Sequence, residues 1–314
     1  MNVSIVLTLL NEEQNLGILY NELTQTMQQV GLEYELIFVD DGSTDSSLKI
    51  LEELHNKDKR LRVISLRKNF GQTSAMTAGF DFASGEIIIA MDADLQNDPA
   101  DIPRLLAKIN EGVDLVTGWR YDRQDPYFSR KLPSKIANGI ISSATGVYLH
   151  DYGCTLKAFR HEVIKNIRLY GEMHRFIPAI ASAMGVSIAE IKVNHRPRQF
   201  GTSKYGISRT LRVILDLITV KFLLNYATRP IHVFGTIGFV SGFVGVLLAI
   251  ILTIQRQFYG MALSDRPLLL LAVLLIFVGV QFVTIGLVAE MLARTYHESQ
   301  NKPTYYVRKI LGGE

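Results

Sequence analysis

The sequence has little of several residues and patterns that mark common classes of protein. It contains one cysteine, Cys154, so no disulfide can form within the chain and nothing calls for an oxidising compartment. The formal net charge is only +3, which is too small to argue for nucleic-acid binding. The apolar N-terminus has neither a basic start nor a small-residue cleavage site, so we expect a first β-strand there rather than a signal peptide.

Several ligand-binding signatures are missing as well. No Gly-x-Gly-x-x-Gly motif follows an apolar run before residue 228, which argues against a dinucleotide-binding fold. No Gly-x-x-x-x-Gly-Lys-Ser/Thr motif occurs, so a P-loop is not expected. The seven histidines are scattered without the spacing of a zinc site. We expect Cys154 to be a packed small side chain rather than a nucleophile.

Up to about residue 204 the sequence alternates short apolar runs with polar stretches. The alternation predicts an α/β domain with a largely parallel sheet, whose strands are expected at 3–10, 35–39, 62–66 and 86–91. The intervening helices should end near residues 30, 56 and 83, with Ser43 or Thr44 as a cap of the second one. Because ligands bind beyond the carboxyl ends of such strands, the polar residues that follow them should converge on one crevice.

The most informative strand end is Asp92-Ala93-Asp94-Leu95-Gln96. Two carboxylates that flank a small residue can both reach a hard divalent cation, and Gln96 can add a neutral oxygen. Mg²⁺ or Mn²⁺ held there would neutralise the charge that grows on a diphosphate leaving group. An Asp-x-Asp in a surface loop is the alternative, but the position directly after an apolar run favours a metal site.

Two other strand ends carry acidic groups. In Asp40-Asp41-Gly42-Ser43 a carboxylate could accept hydrogen bonds from a nucleobase or ribose, or the segment could be a turn with a helix cap. Glu12, in Asn11-Glu12-Glu13, has the same two interpretations. The residues alone do not separate them.

Two basic clusters precede the apolar end of the chain. Arginine suits bidentate phosphate binding and lysine adds a point charge, although a solvated loop is the alternative for either cluster. One cluster contains Arg120, Arg130, Lys131, Ser134 and Lys135, and the other runs from Arg196 through Arg198 to Lys204 and Tyr205. Basic residues continue to Arg229, which indicates contact with anionic headgroups or phosphates, and a solvated basic helix is the alternative.

Residues 230–255 and 267–289 contain no Asp, Glu, Lys or Arg. Each run is longer than the roughly 20 apolar residues that span a bilayer, and the short connection predicts a helical hairpin. A buried pair of core helices is the alternative. In residues 205–229 apolar side chains recur at helical spacing between charged ones, which predicts interfacial amphipathic helices, with a buried core helix as the alternative. Basic residues on both outer flanks place those flanks in the cytoplasm by the positive-inside rule.

Taken in order, these motifs resemble the family 2 glycosyltransferases of GT-A fold that act on polyprenyl phosphates. That group includes dolichol-phosphate mannose synthases and the bacterial undecaprenyl-phosphate glucosyl- and 4-deoxy-4-formamido-L-arabinose transferases, and residues 151–205 are similar to the last branch. The resemblance covers essentially the whole chain and rests on Asn11-Glu12, Asp40-Asp41-Gly42-Ser43, Asn69-Phe70-Gly71-Gln72, Ala78-Gly79-Phe80, Asp92-Ala93-Asp94-Leu95-Gln96, Asp151-Tyr152-Gly153-Cys154 and Phe200-Gly201-Thr202-Ser203-Lys204-Tyr205.

The resemblance implies a cytoplasmic GT-A domain with a Rossmann-like mixed sheet, followed by interfacial helices, a transmembrane hairpin and a cytoplasmic tail. The expected bounds are 1–204, 205–229, 230–292 and 293–314. It implies an inverting, multi-pass enzyme of the bacterial cytoplasmic (inner) membrane that moves a sugar from a UDP-sugar to undecaprenyl phosphate, with Mg²⁺ or Mn²⁺ as cofactor. Membrane lipid is a further partner and a homo-oligomer is left open.

Residue roles follow from the same resemblance. Thr8, Glu12 and Asp41 are expected to bind uridine, and Asp92, Asp94 and Gln96 are expected to hold the metal and the donor diphosphate. Arg120, Arg130 and Ser134 are expected to bind the acceptor phosphate. Arg198 and Lys204 are expected to close over the donor. Catalysis is expected to depend on Asp92, Asp94, Arg120, Arg130 and Asp151.

Two positions depart from the resemblance. Relatives usually read Pro-x-Tyr-Asn-Glu where this chain has Thr8-Leu9-Leu10-Asn11-Glu12, so the aromatic residue that stacks on the base is absent from the motif. Some relatives have an acid, proposed as a base, where this chain has Thr155. A phosphate monoester is anionic near neutral pH because its second pKa is about 6, so a general base is largely unnecessary. Asp151 is the reserve candidate.

Three other functions would leave different marks in the sequence. A processive polysaccharide synthase would carry Gln-x-x-Arg-Trp and more membrane helices, but the only tryptophan is Trp119 in Gly118-Trp119-Arg120. A non-catalytic membrane anchor would not need the intact Asp-Ala-Asp-Leu-Gln motif and both basic clusters. A transporter needs more than two helices for an alternating-access path, unless it is an oligomer. The sugar is not encoded in a readable motif.

Overall fold

The computed structural model describes residues 2–122, 138–139, 141–143, 145–169, 173–200, 231–260, 267–299 and 304–312. They belong to two compact units, which are described separately. The first unit contains the described residues up to 200 together with 304–312, and the second contains 231–299.

Up to Asp92 the first unit alternates strands and helices as the sequence predicts, whereas the elements after Asp92 were not predicted individually. Its elements, in chain order, are β1 (Val3–Leu9), α1 (Leu16–Val30), β2 (Tyr34–Asp40), α2 (Ser47–Lys57), β3 (Leu61–Leu66), α3 (Gln72–Phe82), β4 (Ile87–Asp92), α4 (Ile102–Asn110), β5 (Leu115–Arg120), β6 (Lys157–Arg160), α5 (His161–Lys165), α6 (Ile177–Ala183), β7 (Ile188–Val193) and β8 (Val307–Leu311). Two short 3₁₀ turns lie at Pro99–Asp101 and Met173–Phe176.

The strands form one eight-stranded mixed sheet in the order β7-β5-β6-β4-β1-β2-β3-β8. The four strands β4, β1, β2 and β3 are parallel, whereas β6 and β8 run antiparallel to their neighbours. All seven residues of β1 are buried, as expected for a strand covered on both faces. Its alternate residues Val3, Ile5, Leu7 and Leu9 belong to one hydrophobic cluster with the apolar face of α1. That face buries Leu16, Leu19, Leu23 and Met27 at helical spacing.

The structure corrects the predicted cap of the second helix. α2 begins at Ser47 after Ser46, so neither Ser43 nor Thr44 is its N-cap. Instead, the Ser43 hydroxyl accepts a hydrogen bond from the Asn11 backbone NH, and the Thr44 backbone NH donates to the Asn11 side-chain oxygen, each at 2.8 Å. These residues therefore join the ends of β1 and β2 instead of starting a helix.

The structure also divides the C-terminal segment, which the sequence analysis grouped as a tail from 293 to 314. Helix α8 (Pro267–Ser299) continues beyond its apolar run. Val307–Leu311 then forms β8, which pairs with β3 at one edge of the sheet. The domain that carries the crevice is thus completed by residues from the end of the chain.

The second unit consists of two long apolar helices, α7 (Ile231–Tyr259) and α8. The stretches Phe234–Phe258 and Pro267–Ala289 are long and apolar enough to cross a membrane. Most of their side chains are exposed, Phe239 and Leu270 by about three quarters, so the pair is not a buried core of this chain.

Close approach of the two backbones explains the glycines in these helices. A Cβ on Gly238 would lie 2.6 Å from the carbonyl oxygen of Gly279, and one on Gly245 would lie 2.7 Å from that of Ala272. Small residues allow helices to pack this tightly where lipid offers no hydrophobic driving force.

Candidate functional site

The neighbouring strands β4, β1 and β2 end side by side, and their carboxyl ends form one side of the crevice. Thr8 of β1 pairs with Asp92 of β4 on one side and with Val39 of β2 on the other, and the next residue, Leu9, pairs with Asp40. The acidic groups at the ends of β2 and β4 therefore lie together at the carboxyl ends of the strands, on either side of β1. This confirms the prediction that the polar strand ends converge.

Asp92 is held by polar groups from three other segments. Its carboxylate accepts hydrogen bonds from the Gln72 amide at 2.7 Å and from the Thr8 hydroxyl at 3.4 Å, and it is also hydrogen-bonded by Thr155. Burial, followed by the nearby charge of Asp94, raises the pKa of Asp92 to about 6. The site therefore places two carboxylates close enough to disfavour the ionisation of one of them.

Asp94 forms an ion pair with an arginine from the second basic cluster. Arg198 Nη2 lies 2.6 Å from Asp94 Oδ2 and 3.5 Å from Gln96 Oε1, and Arg198 Nη1 lies 3.7 Å from Glu12 Oε1. Leu95, between Asp94 and Gln96, has a positive φ of 61°, which is uncommon for a residue with a branched side chain. The arginine thus joins two residues predicted to bind the metal to one predicted to bind uridine.

The segment that carries Arg198 is anchored by its neighbour Arg196. This guanidinium pairs with Asp98 at 2.7 Å and with Glu22 on α1 at 2.8 Å. The Arg196 backbone NH also donates to the Gln96 carbonyl at 2.9 Å. Arg198 is therefore held beside the Asp-Ala-Asp-Leu-Gln loop by contacts that do not involve its own side chain.

Asp41 is buried and oriented by backbone groups. Its two carboxylate oxygens accept hydrogen bonds from the NH groups of Phe70 at 2.7 Å and Gly71 at 2.9 Å. Burial raises the pKa of Asp41, and these two hydrogen bonds act in the opposite direction. Gly42, which has φ of 78°, must be glycine, since a Cβ there would lie 2.6 Å from the backbone of Lys68.

Arg120, at the end of β5, forms a two-pronged ion pair with Asp151. Arg120 Nε lies 2.6 Å from Asp151 Oδ2 and Nη2 lies 2.8 Å from Oδ1. Glu190 of β7 in turn accepts hydrogen bonds at 3.0 Å from the backbone NH groups of His150 and Asp151. Asp151 therefore orients a guanidinium, which is a different task from that of a base waiting for a substrate proton.

The oxygen ligands fit a hard divalent cation. Two carboxylates and an amide oxygen are the donor types that Mg²⁺ and Mn²⁺ prefer. Burial and the charge of Asp94 raise the pKa of Asp92, and a bound cation would act in the opposite direction. Within the described part of the chain no group of three or more His, Cys, Asp or Glu side chains could hold a metal by itself. An ion here would need further oxygens, such as those of a diphosphate.

The described residues bring together most of the predicted site. Thr8, Asp92, Asp94, Gln96, Glu12 and Arg198 form one connected group, while Asp41 lies at the end of β2, the strand beside β1. Arg130, Ser134 and Lys204 lie outside the described residues. Sequence reasoning assigned no role to three residues that position this site, namely Gln72, Thr155 and Glu190. It placed Arg196 in a basic cluster suited to phosphate, whereas the Arg196 guanidinium is paired with Asp98 and Glu22. Gln72 could have been found, because it ends one of the motifs quoted for the resemblance.

Comparison with known proteins agrees with this geometry. The family described as Glycosyl transferase family 2 matches residues 4–168. A dodecaprenyl-phosphate galacturonate synthase of Rhizobium johnstonii is 45% identical over 99% of this chain and 93% of the relative. An undecaprenyl-phosphate 4-deoxy-4-formamido-L-arabinose transferase of Proteus mirabilis is 40% identical over 99% of this chain and 94% of the relative.

Solved structures share the fold at low sequence identity. Mannosyl-3-phosphoglycerate synthase from Rubrobacter xylanophilus superposes with a TM-score of 0.59 at 16% identity, covering 71% of this chain and 74% of that one. Glucosyl-3-phosphoglycerate synthase from Mycobacterium tuberculosis, solved with Mn²⁺, UDP and its product, gives 0.55 at 18% identity, covering 71% and 79%. The mixed sheet is thus a GT-A-like domain, and the chain belongs to the family 2 glycosyltransferases.

Proposed function

We propose that this chain is an inverting glycosyltransferase that moves a sugar from a UDP-sugar to undecaprenyl or another polyprenyl phosphate. The observation that carries the proposal is similarity over nearly the full length of both chains to two enzymes named for polyprenyl-phosphate products. The crevice supports it, because acidic groups and guanidinium groups are held at one sheet edge by residues from distant parts of the sequence.

In this proposal the donor binds at the carboxyl ends of β1, β2 and β4. Asp41, Glu12 and Thr8 bind the uridine. Asp92, Asp94 and Gln96 hold Mg²⁺ or Mn²⁺, which supplies positive charge to the departing diphosphate. Arg198 contacts the diphosphate together with Lys204. The Mn²⁺ and UDP bound by the Mycobacterium tuberculosis enzyme support this assignment of the donor and metal.

The acceptor phosphate binds next to Arg120, with Arg130 and Ser134 as further contacts. Two anions must approach each other, so guanidinium groups have to offset their repulsion. Asp151 holds Arg120 in a defined orientation through two short contacts. Because the phosphate oxygen is already anionic, it attacks the anomeric carbon without giving up a proton, and displacement in one step inverts the configuration.

The proposed location is the bacterial cytoplasmic membrane, with the sheet domain on the cytoplasmic side. The two exposed apolar helices support membrane anchoring. Residues 205–229, predicted to be interfacial amphipathic helices, lie outside the described residues.

A donor screen tests the proposal. Purified protein in nanodiscs would be incubated with Mn²⁺, undecaprenyl phosphate and labelled UDP-sugars that carry galacturonate, 4-deoxy-4-formamido-L-arabinose or glucose. We expect one of them to give a labelled lipid whose anomeric configuration is opposite to that of the donor. The Asp94→Ala variant is the control and should give little product. Absence of labelled lipid with all three UDP-sugars, from protein that also fails to bind UDP, would exclude the proposed reaction.

A further inference from the structure

The turn after β3 is coupled to Asp41. This turn, residues 67–71, contains the Asn69-Phe70-Gly71 part of a motif to which the proposed function assigns no role. The hydrogen bonds from Phe70 and Gly71 to Asp41 occupy one lobe of each carboxylate oxygen and fix its orientation. A shift of the turn would therefore move the acidic side chain that is proposed to bind uridine.

The end of the chain holds the same turn from its other side. The Arg67 backbone NH donates to the Tyr306 carbonyl at 2.9 Å, and Arg67 Nε donates to the Val307 carbonyl at 3.3 Å. The ring of Tyr306 packs against the ring of Phe70, with centroids 6.0 Å apart and planes tilted by 46°. Because β8 runs antiparallel to β3, Tyr306 lies beyond the carboxyl end of β3, at the sheet edge where Asp41 also lies.

Contacts along the rest of this segment fix the position of Tyr306. The Tyr305 hydroxyl donates to Asp81 at 2.8 Å, Lys309 pairs with Glu52 at 2.8 Å, and Arg62 Nε donates to the Gly312 carbonyl at 3.2 Å. Tyr306 itself is 59% exposed, so its ring is not needed to fill the core. The ring instead contacts Phe70, which belongs to the turn.

We infer that Tyr306 is a positioning residue for the nucleotide of the donor: its ring holds Phe70, and the turn that contains Phe70 holds Asp41. This inference deepens the proposed function and rests on it for the identity of the nucleotide. It assigns a task to residues that follow the two long apolar helices in the sequence, since β8 supports part of the proposed donor site.

Hydrogen–deuterium exchange and UDP binding test the inference on the full chain in nanodiscs with Mn²⁺. The free energy of an aromatic pair corresponds to a change of about three- to tenfold in an equilibrium constant. We therefore expect Tyr306→Ala to speed exchange of the amides at 67–71 by this factor and to weaken UDP binding by the same factor. Turnover at saturating donor should stay within about twofold of the wild type, and the KM for lipid phosphate should not change, because the acceptor residues are not involved.

Two variants make the test specific. Tyr306→Phe keeps the ring that contacts Phe70 and should behave as the wild type in both measurements. Lys309→Ala removes an exposed ion pair on the same strand and should leave UDP binding unchanged. Wild-type exchange and UDP affinity in Tyr306→Ala would overturn the inference, as would faster exchange across the whole domain. A wild-type protein that binds no UDP would overturn the proposed donor instead, and exchange at 67–71 would still show whether Tyr306 holds the turn.

Discussion

Arg198 Nη2 lies 2.6 Å from Asp94 Oδ2, so a residue predicted to close over the donor is paired with a residue predicted to bind the metal. The guanidinium places a positive charge directly beside the Asp94 carboxylate. A divalent cation that binds Asp94 must compete with this ion pair. The same competition would release Arg198 toward the diphosphate that arrives with the cation.

This competition predicts opposite effects of one substitution. Arg198→Ala should tighten Mn²⁺ binding to the donor-free protein by several fold, because a charge-assisted hydrogen bond no longer competes. It should also lower turnover by about tenfold or more, because a cation that contacts the diphosphate is lost. Isothermal titration with Mn²⁺ and steady-state rates measure the two effects. The matched control is Lys108→Ala, which removes an exposed ion pair with Glu111. Weaker Mn²⁺ binding in Arg198→Ala would contradict the competition.

Removing a proposed metal ligand should be more damaging. Asp94→Ala should cost on the order of 3 kcal/mol in the transition state, which is roughly two orders of magnitude in rate. EDTA should abolish the activity of the wild-type protein, and Mn²⁺ or Mg²⁺ should restore it. Both are read from the yield of labelled lipid. Full activity of Asp94→Ala in EDTA would exclude a metal at this position.

Asp92 should make the donor-free protein less stable above pH 6. Its pKa is raised from about 3.8 to about 6, so the carboxyl is protonated in the folded and unfolded states below pH 4 and carries no penalty there. The penalty builds between about pH 4 and 6 and is complete above it. Asp92→Asn should therefore stabilise the metal-free protein at pH 7.5 by roughly 1 kcal/mol, after discounting for partial exposure, and by little at pH 4.

Thermal unfolding followed by the fluorescence of Trp119 measures this effect. Excess Mn²⁺ should stabilise the wild-type protein and not the Asn variant, which reverses their order at pH 7.5. An equal gain in melting temperature at both pH values would mean that ionisation of Asp92 is not the cause.

Asp151 should act on acceptor binding through Arg120. Asp151→Asn removes a charge from the two-pronged pair, so we expect the KM for lipid phosphate to rise by about tenfold while UDP affinity stays unchanged. Initial rates at varied lipid phosphate give the KM for the acceptor, and a UDP titration gives the affinity for the donor nucleotide. A loss of turnover beyond about a thousandfold, with both substrates bound normally, would instead identify Asp151 as a general base.

Cysteine labelling tests the membrane orientation without removal of the native thiol. Cys154 is fully buried, and burial raises its pKa to about 11, so it should not react with maleimide in the folded protein. A cysteine in place of Asp265 should react with an impermeant maleimide from outside the cell, and one in place of Asn301 should react only after lysis. The reverse pattern would put the sheet domain on the wrong side of the membrane.

The parts of the fold that follow from local sequence were predictable. Strands β1 to β4 and the helices between them lie close to their expected bounds, because the spacing of apolar residues and the turn residues are local signals in the sequence. The positions of Asp92 and Asp94 followed for the same reason, since strand ends in a parallel sheet share one edge.

The partners of the site residues were not predictable, because they come from distant parts of the chain. Asp94 and Arg198 are 104 residues apart, and Arg120 and Asp151 are 31 apart. The interpretation of Asp151 as a reserve base considered its charge without the guanidinium that it orients. Strand β8 was missed because five residues at an exposed edge carry no buried alternating pattern.

The pairing of β8 with β3 has a practical consequence for expression of the catalytic domain alone. A fragment that ends at residue 204 would lack β8 and leave the hydrogen-bonding edge of β3 uncovered. Uncovered strand edges are templates for pairing between molecules, so such a fragment should self-associate and precipitate. A soluble version would need residues 304–312 joined back to the domain through a linker that replaces the hairpin.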